Sequence, residues 1–408
     1  MQNNGYNNNN GRRPVQGRPA GYGQRPVRSP SQMPQGYNRA PAGRRRRKKT
    51  LGQKIGSAVL KTLAFLLTFV IIVAATLFIS LKMMSSSSYP AAQSVLIPTL
   101  LETGQLKFLA SWLLPSDEIQ EIVDRNSMKK LDGDVDDSLI NIGGNSSVDV
   151  SGDPAGKEEP ITVKKVSGST FSGTMMIVKD PSRVFVGSIY DEATGWRDEG
   201  VTLDKLVDMS SAVGGINGGL YNSYNNSGGA PYGVLVSNGE IQLNEPQQFP
   251  GLVLIGMTED NILQIIDISE MGPIDIITLV QEKHIRDAVT FQEEASDANN
   301  HFVQLIINNE AREMSGAGSG LNPRTAIGQR ADGAILLFVA DGRGASGHLG
   351  ASASDLINVM LEYGAVNAAN LDGGSSSCMY YDGEYLMNSV TFYYANSSWK
   401  LPAGFMVK

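Results

Sequence analysis

The sequence of 408 residues contains a single cysteine, Cys378, and only three histidines. One cysteine excludes an intrachain disulfide framework, and so few cysteines and histidines exclude a zinc site built from those two ligand types. No other metal-ligand spacing is present in the sequence, so we predict neither an obligatory metal nor a cofactor. Glycine is abundant instead, with 45 residues, about 11% against an ordinary ~7%. This indicates many tight turns and close backbone contacts.

Acidic residues are absent from the first part of the chain. Residues 1–61 hold 14 of the 34 Lys and Arg residues and none of the 41 Asp and Glu residues, which leaves 20 basic residues for the rest of the chain. Residues 1–50 are mostly Asn, Gly, Gln, Pro and Arg, which offer little to bury, so we predict a disordered basic tail. The tail ends in the basic run 44–49. Such a run can bind nucleic acid, but its position before an apolar segment favours a role at a membrane, and we expect no nucleic-acid partner.

A long uncharged segment, Thr62–Leu81, follows the basic run. Twenty helical residues span about 30 Å, the thickness of the hydrocarbon core of a bilayer. The alternatives are a buried core helix and a cleavable signal peptide, but signal peptides have apolar cores of ~7–15 residues, and no small-x-small cleavage site follows in residues 83–89. We predict a single transmembrane anchor over residues 51–82. Because basic flanks remain on the inner side, we expect a cytoplasmic N-terminal tail and an extracellular C-terminal part at the cell membrane.

Residues 83–160 are expected to form an extracytoplasmic stalk or linker. A short helix is predicted at Ser116–Arg125, where a serine precedes acidic and apolar residues. Residues 132–156 are rich in Asp, Gly, Ser and Asn and are predicted to be a linker. Its alternating aspartates imitate the start of a calcium loop, but Asp137 occupies the position of the required glycine and Gly143 that of the bidentate glutamate. A solvated acidic linker is therefore the preferred interpretation.

Residues 161–408 are predicted to form a globular domain of mixed α/β (α+β) class. Its apolar runs are short and strand-like, and several are joined by Asn-Gly or Asp-Gly pairs, as at Asn238-Gly239 and Asp382-Gly383, which favour hairpin turns. The expected architecture is a mixed sheet with several hairpins and one parallel β-α-β unit. The predicted strands are Thr174–Lys179, Arg183–Ile189, Val234–Leu243, Leu252–Met257, Val303–Asn308, Ala334–Asp341 and Val366–Leu371.

The predicted β-α-β unit is the most informative part of the domain. An apolar strand ends at Asp341, a helix with a capping-box pattern begins after Ser352, and a second apolar strand ends at Asp372. Parallel neighbours joined by a helix emerge at the same sheet edge, where open α/β sheets place ligands. Each Asp-Gly pair alone is more often a simple turn. The two together, with Arg343 nearby, predict a site with two carboxylates and a cation.

Two more clusters point to the same site. The segment Asn217–Tyr221 and the residues before it are too rich in glycine for a strand interior, which suits a backbone that closely approaches another group. The segment Asn322–Gly328 begins with a rigid turn and then presents Arg324, whose guanidinium suits forked contacts to phosphate. The Gly- and Ser-rich loop after Asp372 can form an anion-binding nest of backbone N–H groups.

Together these segments resemble the phosphodiester glycosidase family. The resemblance rests on four ordered motifs, covers roughly residues 165–408, and includes none of the tail, anchor or stalk. Leu220 stands where the family has an aromatic residue, Ser375 replaces a third glycine, and Cys378 stands where threonine is common. The four motifs are Asn217-Gly218-Gly219-Leu220-Tyr221, Asn322 to Gly328, Asp341-Gly342-Arg343 and Asn370 to Ser377.

The resemblance implies hydrolysis of a sugar-1-phosphodiester, and the chemistry of that bond suggests roles. The group that leaves the sugar is a phosphate monoester, a stable anion, so the site needs cations more than a strong acid, together with a carboxylate that activates water or attacks the sugar. Arg324 and Arg343 are the expected phosphate clamps, and Asp341 and Asp372 are the candidate base or nucleophile, with retention and inversion both open. The expected substrate-binding residues are Asn217, Gly218, Gly219, Tyr221, Asn322, Thr325, Gly373, Gly374, Ser375, Ser376 and His348.

The sequence as a whole predicts an anchored hydrolase that acts on a carbohydrate phosphodiester in a cell-envelope polysaccharide, exopolysaccharide or wall polymer. Two alternatives remain open at this point. One is a non-catalytic carbohydrate-binding or scaffolding domain of the envelope. The other is an envelope glycopolymer phosphotransferase, which would need a denser arginine cluster and a divalent metal. The sequence identifies no protein partner.

Overall fold

The structure is a computed structural model that describes residues 48–103, 106–131, 133–143, 159–390 and 396–408. Residues 1–47 of the predicted disordered tail, Asp132 of the calcium-like pattern and residues 144–158 of the predicted linker lie outside the described residues. The described residues fall into two units, which divide between Thr68 and Phe69.

The described helices and strands alternate irregularly along the chain. The helices are α1 Leu51–Met84, α2 Pro90–Leu101, α3 Phe108–Leu113, α4 Ser116–Arg125, α5 Leu203–Met209, α6 Pro273–Glu282 and α7 Ala353–Glu362. The strands are β1 Ile161–Ser167, β2 Ser172–Val178, β3 Val184–Ser188, β4 Gly214–Asn217, β5 Val234–Ser237, β6 Glu240–Asn244, β7 Leu252–Thr258, β8 Leu263–Asp267, β9 Ile285–Gln292, β10 Glu294–Ala295, β11 Asn300–His301, β12 Gln304–Ile307, β13 Glu310–Ala311, β14 Arg324–Arg330, β15 Ile335–Ala340, β16 Ala365–Asn370, β17 Met379–Tyr381, β18 Glu384–Met387 and β19 Ala403–Val407.

Helix α1 meets the requirements for a single membrane span. It has 34 residues, it is long and apolar enough to cross a bilayer, and none of its apolar window is buried against other described parts of the protein. It contains the predicted anchor, residues 51–82. A helix that is apolar on all sides and covered by no protein needs an apolar environment, which is consistent with a single-pass anchor.

Helices α2 to α4 pack against one another in the region expected to be a stalk. Their shared apolar cluster includes the fully buried side chains of Ile97, Leu113 and Ile122. Helix α4 has the bounds predicted from its sequence, with acidic residues in its first turn and Arg125 in its last, which suits the helix dipole. The segment that follows pairs with the domain through a bridge between Met128 and Met314.

The domain contains three large antiparallel sheets. Their strand orders are β1-β2-β15-β14-β16-β12-β13, β18-β17-β4-β19-β3 and β6-β5-β9-β7-β8, and β10 pairs with β11 as a small hairpin. The predicted hairpins β5–β6 and β17–β18 are confirmed. Their turn residues, Asn238-Gly239 and Asp382-Gly383, have φ angles of 52° and 79° and of 51° and 85°. Positive φ at both central residues matches the twist of two-residue hairpin turns.

One apolar core joins the three sheets. Leu337 of β15, Phe405 of β19 and Val253 of β7 belong to the same buried cluster. A second cluster packs α7 onto the seven-stranded sheet, with Met360 of the helix and Phe338 of β15 both fully buried. Fully burying each such side chain contributes about 1.5–3 kcal/mol, so the sheets support one another and hold their edges in place.

The prediction of a parallel β-α-β unit is wrong. Strands β15 and β16 do not pair, because β14 lies between them and is antiparallel to both. The physical reason is local: β14 directly precedes β15 and forms a hairpin with it. The segment Asn322–Gly328, which is not among the predicted strands, is mostly strand. Since β15 and β16 are both antiparallel to β14, they still run in the same direction. Their carboxyl ends therefore reach the same sheet edge, separated by two strand spacings, or roughly 10 Å.

Candidate functional site

Three predicted site residues lie at one edge of the seven-stranded sheet. Arg324 is the first residue of β14, Asp341 directly follows β15, and Asp372 follows β16 by two residues. In the strand register, Arg324 is paired with Ala340 and Ala326 with Asn370. The arginine therefore begins its strand between the two aspartates.

The carboxyl of Asp372, at this edge of the sheet, has a pKa far above its ordinary value. Its backbone is fixed on both sides, since its N–H donates to the Gly218 carbonyl at 3.3 Å and its carbonyl accepts from Asn217 Nδ2 at 2.7 Å. The residue is only partly exposed. Burial raises the pKa of its carboxyl to about 7, against hydrogen bonds from the Ser376 hydroxyl and the Gly373 N–H and the charge of Arg343, which lower it. A carboxyl with that pKa exchanges protons near neutral pH.

The turn after Asp372 contains two serines, whose hydroxyl groups bond to Tyr221 and Arg343. Ser376 shares a 2.8 Å hydrogen bond with the phenol of Tyr221, and Ser375 Oγ accepts from Arg343 Nη1 at 3.0 Å. Tyr221 is buried, and burial with the nearby Asp372 charge raises its pKa well above 10. Tyr221 therefore remains a neutral phenol at physiological pH.

Arg343 lies across this turn with its side chain exposed to solvent. Its Nε donates to Asn322 Oδ1 at 3.2 Å. Its φ of 53° is unusual for a residue other than glycine, and such strain is concentrated at functional sites. A Cβ on Gly374 would lie 2.7 Å from Arg343 Nη2. The glycine therefore allows the guanidinium to lie directly over the turn.

Asn217, Gly218, Gly219 and Thr325 have structural positions behind this surface. Asn217 is fully buried, and its Oδ1 accepts from Thr325 Oγ1 at 2.8 Å. A Cβ on Gly218 would lie 3.2 Å from the Ala403 carbonyl, and one on Gly219 would collide with the backbone of β9. The glycines thus permit close backbone packing, as expected. The prediction that this segment and the residues before it are too rich in glycine for a strand interior is wrong for Gly214–Asn217, which form β4 and pair with both β17 and β19. The cavity that Gly219 lines has a volume of about 10 Å³, room for a single water and too small for a sugar.

Asp341 turns away from Asp372. One of its carboxylate oxygens accepts from the Ser172 N–H at 2.7 Å, on the β2 side of the sheet, and the other lies 2.7 Å from His348 Nδ1. Its partner Ser172, in β2, is thus on the side of β15 that is remote from β16. The structure brings Asp341 together with His348, and it joins Arg343 to the turn after Asp372 through Ser375. Among the contacts of the described residues, none links the two aspartates.

Arg324 is buried, and its Nε and Nη2 are bonded to the protein. Its Nε donates to the Ala351 carbonyl at 3.1 Å, and its Nη2 donates to the Gly320 carbonyl at 2.8 Å and forms an ion pair with Glu102. The guanidinium also lies 4.9 Å from the centre of the Phe302 ring. Sequence reasoning did not include Glu102, which lies 222 residues before Arg324. A lone acidic residue directly after the apolar helix α2 was the available signal.

A second, larger cavity lies elsewhere in the domain. Its volume is about 520 Å³, and charged residues line it, among them Arg197, Glu199 and Lys400. None of the predicted site residues lines this cavity. Among the residues that the structure describes, no three His, Cys, Asp or Glu side chains come together in a metal-binding group.

Comparison with known proteins confirms the family resemblance. The sequence model of the phosphodiester glycosidase family matches residues 210–408, which include Asp341, Arg343 and Asp372 but not Glu102. An uncharacterized SPbeta prophage-derived protein of Bacillus subtilis, YomE, is 42% identical over 67 residues, or 16% of this chain. The chain spans only 10% of the length of that curated relative.

Solved structures with a related arrangement have low sequence identity to this chain. The catalytic domain of zebrafish N-acetylglucosamine-1-phosphodiester alpha-N-acetylglucosaminidase, described as auto-inhibited by its pro-peptide, has a TM-score of 0.46 and 16% identity over 64% of this chain and 86% of its own. A putative exported protein of Burkholderia pseudomallei K96243 has a TM-score of 0.36 and 14% identity, over 58% of this chain and 74% of its own.

Proposed function

Because residues 210–408 match the phosphodiester glycosidase family, we propose that this chain is a membrane-anchored hydrolase that cleaves a sugar-1-phosphodiester. We further propose that the substrate belongs to a polysaccharide or wall polymer of the cell envelope, and that the domain faces the outside of the cell. Helix α1 and the basic run before it support the anchor and this orientation.

One observation carries the catalytic proposal. Burial raises the carboxyl pKa of Asp372, within the family-matched segment, to about 7, and the charge of the Arg343 guanidinium acts on that carboxyl. Proton transfer is most efficient when the pKa of the catalytic group is near the working pH. Carboxyl and guanidinium thus supply the two functions that the reaction needs, a group that activates the attacking oxygen and a cation for the phosphate.

The proposed reaction breaks the bond between the anomeric carbon and the phosphate oxygen. In the direct route, a water oxygen bonds to the anomeric carbon, its proton passes to the ionised Asp372, and the bonding pair leaves with the phosphate monoester. In the two-step route, an Asp372 carboxylate oxygen bonds to the anomeric carbon while the phosphate monoester leaves with the bonding pair, and water then hydrolyses the glycosyl ester and frees Asp372. Both routes need Asp372 ionised. Arg343, exposed and joined to Ser375, binds the leaving phosphate.

Asp341 and Arg324 take supporting roles in this proposal. Asp341 holds His348, which is partly exposed, at the same edge of the sheet. The charge of Arg324 is neutralised by its ion pair with Glu102. Arg343 is therefore the principal phosphate ligand. Asn217 and Thr325 fix the position of the loop that carries Asp372.

The full chain in detergent, offered N-acetylglucosamine-1-phospho-6-mannoside and related sugar phosphodiesters, tests the proposal through the sugar released. We expect Asp372→Asn to lower kcat about a thousandfold, since general acid–base groups contribute 10²–10⁴-fold. Asp260→Asn is the matched control, because Asp260 is exposed in the turn between β7 and β8, and it should retain full activity. Absence of release by the natural chain with every diester, or full activity of the Asp372 variant, would overturn the proposal.

A further inference from the structure

Glu102 lies outside the family-matched residues, yet it is buried among the predicted site residues. Its side chain is 2% exposed and forms an ion pair with Arg324. One carboxylate oxygen accepts from the Gly320 N–H at 2.8 Å and from Asn300 Nδ2 at 2.9 Å. The other accepts from Asn322 Nδ2 at 3.0 Å. Both oxygens are therefore used, and every partner comes from the domain.

A short series of hydrogen bonds leads from Glu102 to the proposed phosphate ligand. Asn322 donates its Nδ2 to Glu102 and accepts with its Oδ1 from Arg343 Nε at 3.2 Å. Arg343 in turn donates to Ser375 Oγ at 3.0 Å, in the turn after Asp372. The series connects the segment that follows the membrane helix to the turn of the candidate site.

The direction of these hydrogen bonds depends on the carboxylate. An ionised carboxylate only accepts hydrogen bonds and a guanidinium only donates them, whereas an asparagine amide has one end of each kind. Asn322, between Glu102 and Arg343, can satisfy both neighbours only with its NH₂ toward the glutamate and its oxygen toward the arginine. Glu102 therefore fixes the amide orientation that holds the Arg343 guanidinium.

We propose that Glu102 is a positioning residue of the site, and that the segment 90–102 completes an active site which the family-matched domain alone leaves unfinished. The proposal rests on the proposed function, because it gives Arg343 the task of binding phosphate. Glu102 acts through Asn322 and does not touch the substrate.

The burial of Glu102 indicates that segment 90–102 is a permanent part of the site and not a removable plug. A removable plug would form an ion pair with a cation that otherwise binds the substrate. Arg324, the direct partner of Glu102, is also bonded to Ala351, Gly320 and Ser319, and its side chain is only 7% exposed. Helix α2, which carries Glu102 at its end, is held by the apolar cluster around Ile97.

A matched pair of variants separates positioning from plain stabilisation. Glu102→Gln keeps the shape but directs an NH₂ group at donors. Glu293→Gln removes the charge from a second buried Arg–Glu pair, since Glu293 pairs with Arg312 at 2.7 Å and the two side chains are 13% and 4% exposed. In the full chain we expect both variants to lower Tm. Only Glu102→Gln should lower kcat/KM, by about a hundredfold, as misplacement of a binding group can do.

Two kinetic results would overturn the proposal. Equal kcat/KM in the two variants at equal Tm would mean that Glu102 only stabilises the fold. A faster Glu102→Gln enzyme would mean that the segment blocks the site.

Binding of inorganic phosphate provides a readout that does not depend on turnover. Affinity measured by calorimetry should fall on the order of tenfold in Glu102→Gln, the loss expected for one charge-assisted hydrogen bond, and should be unchanged in Glu293→Gln. Phosphate binding with this pattern but no turnover would reject the proposed hydrolase and retain the role of Glu102. Phosphate binding that is insensitive to Glu102→Gln, or absent from the natural chain, would reject the positioning role itself.

Discussion

Asp372 shows how a single carboxyl acquires its chemistry from its surroundings. Burial raises its pKa to about 7, while the Ser376 hydroxyl, the Gly373 N–H and the Arg343 charge partly offset that increase. The residue is therefore protonated below about pH 7 and ionised above it. Because the proposed reaction needs the ionised form, kcat/KM should rise about tenfold per pH unit below that value and level off above it.

Removing the Ser376 hydroxyl should move this pH profile to higher pH. The hydroxyl stabilises the ionised carboxylate, so Ser376→Ala raises the pKa of Asp372, and the rising limb shifts upward by about half a unit to one unit, the value of one hydrogen bond. Measured pH profiles of kcat/KM check this. Ser377→Ala is the adjacent control, since the Ser377 hydroxyl is buried with no hydrogen-bond partner in the described structure. If the rising limb of the pH profile moves equally in both variants, or in neither, Asp372 is not the group whose ionisation sets the pH dependence of kcat/KM.

The sequence was informative about this site where the residues are close in the chain. Asp372, Ser375 and Ser376 lie within one turn, and Arg343 reaches that turn from the loop after β15. Glu102 could not be found in the same way, because its contact with Arg324 spans 222 residues and no local pattern encodes such a pairing. The contact of Asp341 with Ser172 was also not predictable, since Ser172 comes from a distant strand.

At the scale of elements, local rules predicted the hairpins and the helix. The predicted capping box of α7 is confirmed, with Ser352 Oγ accepting from the Asp355 N–H and the Asp355 carboxylate accepting from the Ser352 N–H. Gly364 follows the helix with a φ of 80°, as a C-terminal glycine should. Strand order was not predictable, because β14 enters between β15 and β16 through a pairing that the apolar pattern of either strand does not reveal.

The turn after β16 provides a test of how an element positions the proposed phosphate ligand. Gly374 has a φ of 63°, and a Cβ there would lie 2.7 Å from Arg343 Nη2. Gly374→Ala should therefore cost about 1–2 kcal/mol of backbone strain and displace the guanidinium, which lowers phosphate affinity and kcat/KM. Denaturation and phosphate titration measure the two effects separately.

Gly383→Ala is the control for the strain alone. Gly383 also has a positive φ, of 85°, but a Cβ there would have no atom within 4 Å. It should lose similar stability and keep both phosphate affinity and activity. If Gly374→Ala also kept them, Arg343 would not be the group that binds phosphate.

At the scale of the whole molecule, helix α1 and the charge distribution predict how the chain is oriented in a membrane. All 14 basic residues of the first 61 precede or begin the apolar segment, with no acidic residue to offset them. Positive charge is retained on the cytoplasmic side, so the tail is proposed to lie inside and residues 159–408 outside. Under this arrangement the substrate reaches the site from the outside of the cell.

The single natural cysteine makes this topology measurable. Thiols react as thiolates, and burial raises the pKa of Cys378 to about 12, so the natural chain should label weakly. With a membrane-impermeant maleimide on intact cells, Glu192→Cys, at an exposed position of the domain, should be labelled, and Gln16→Cys in the tail only after lysis. Replacing residues 44–49 with serine should produce a mixture of both orientations, because the bias that fixes the direction is reduced. The reverse labelling pattern on intact cells would put the domain on the cytoplasmic side and remove extracellular polymers from its possible substrates.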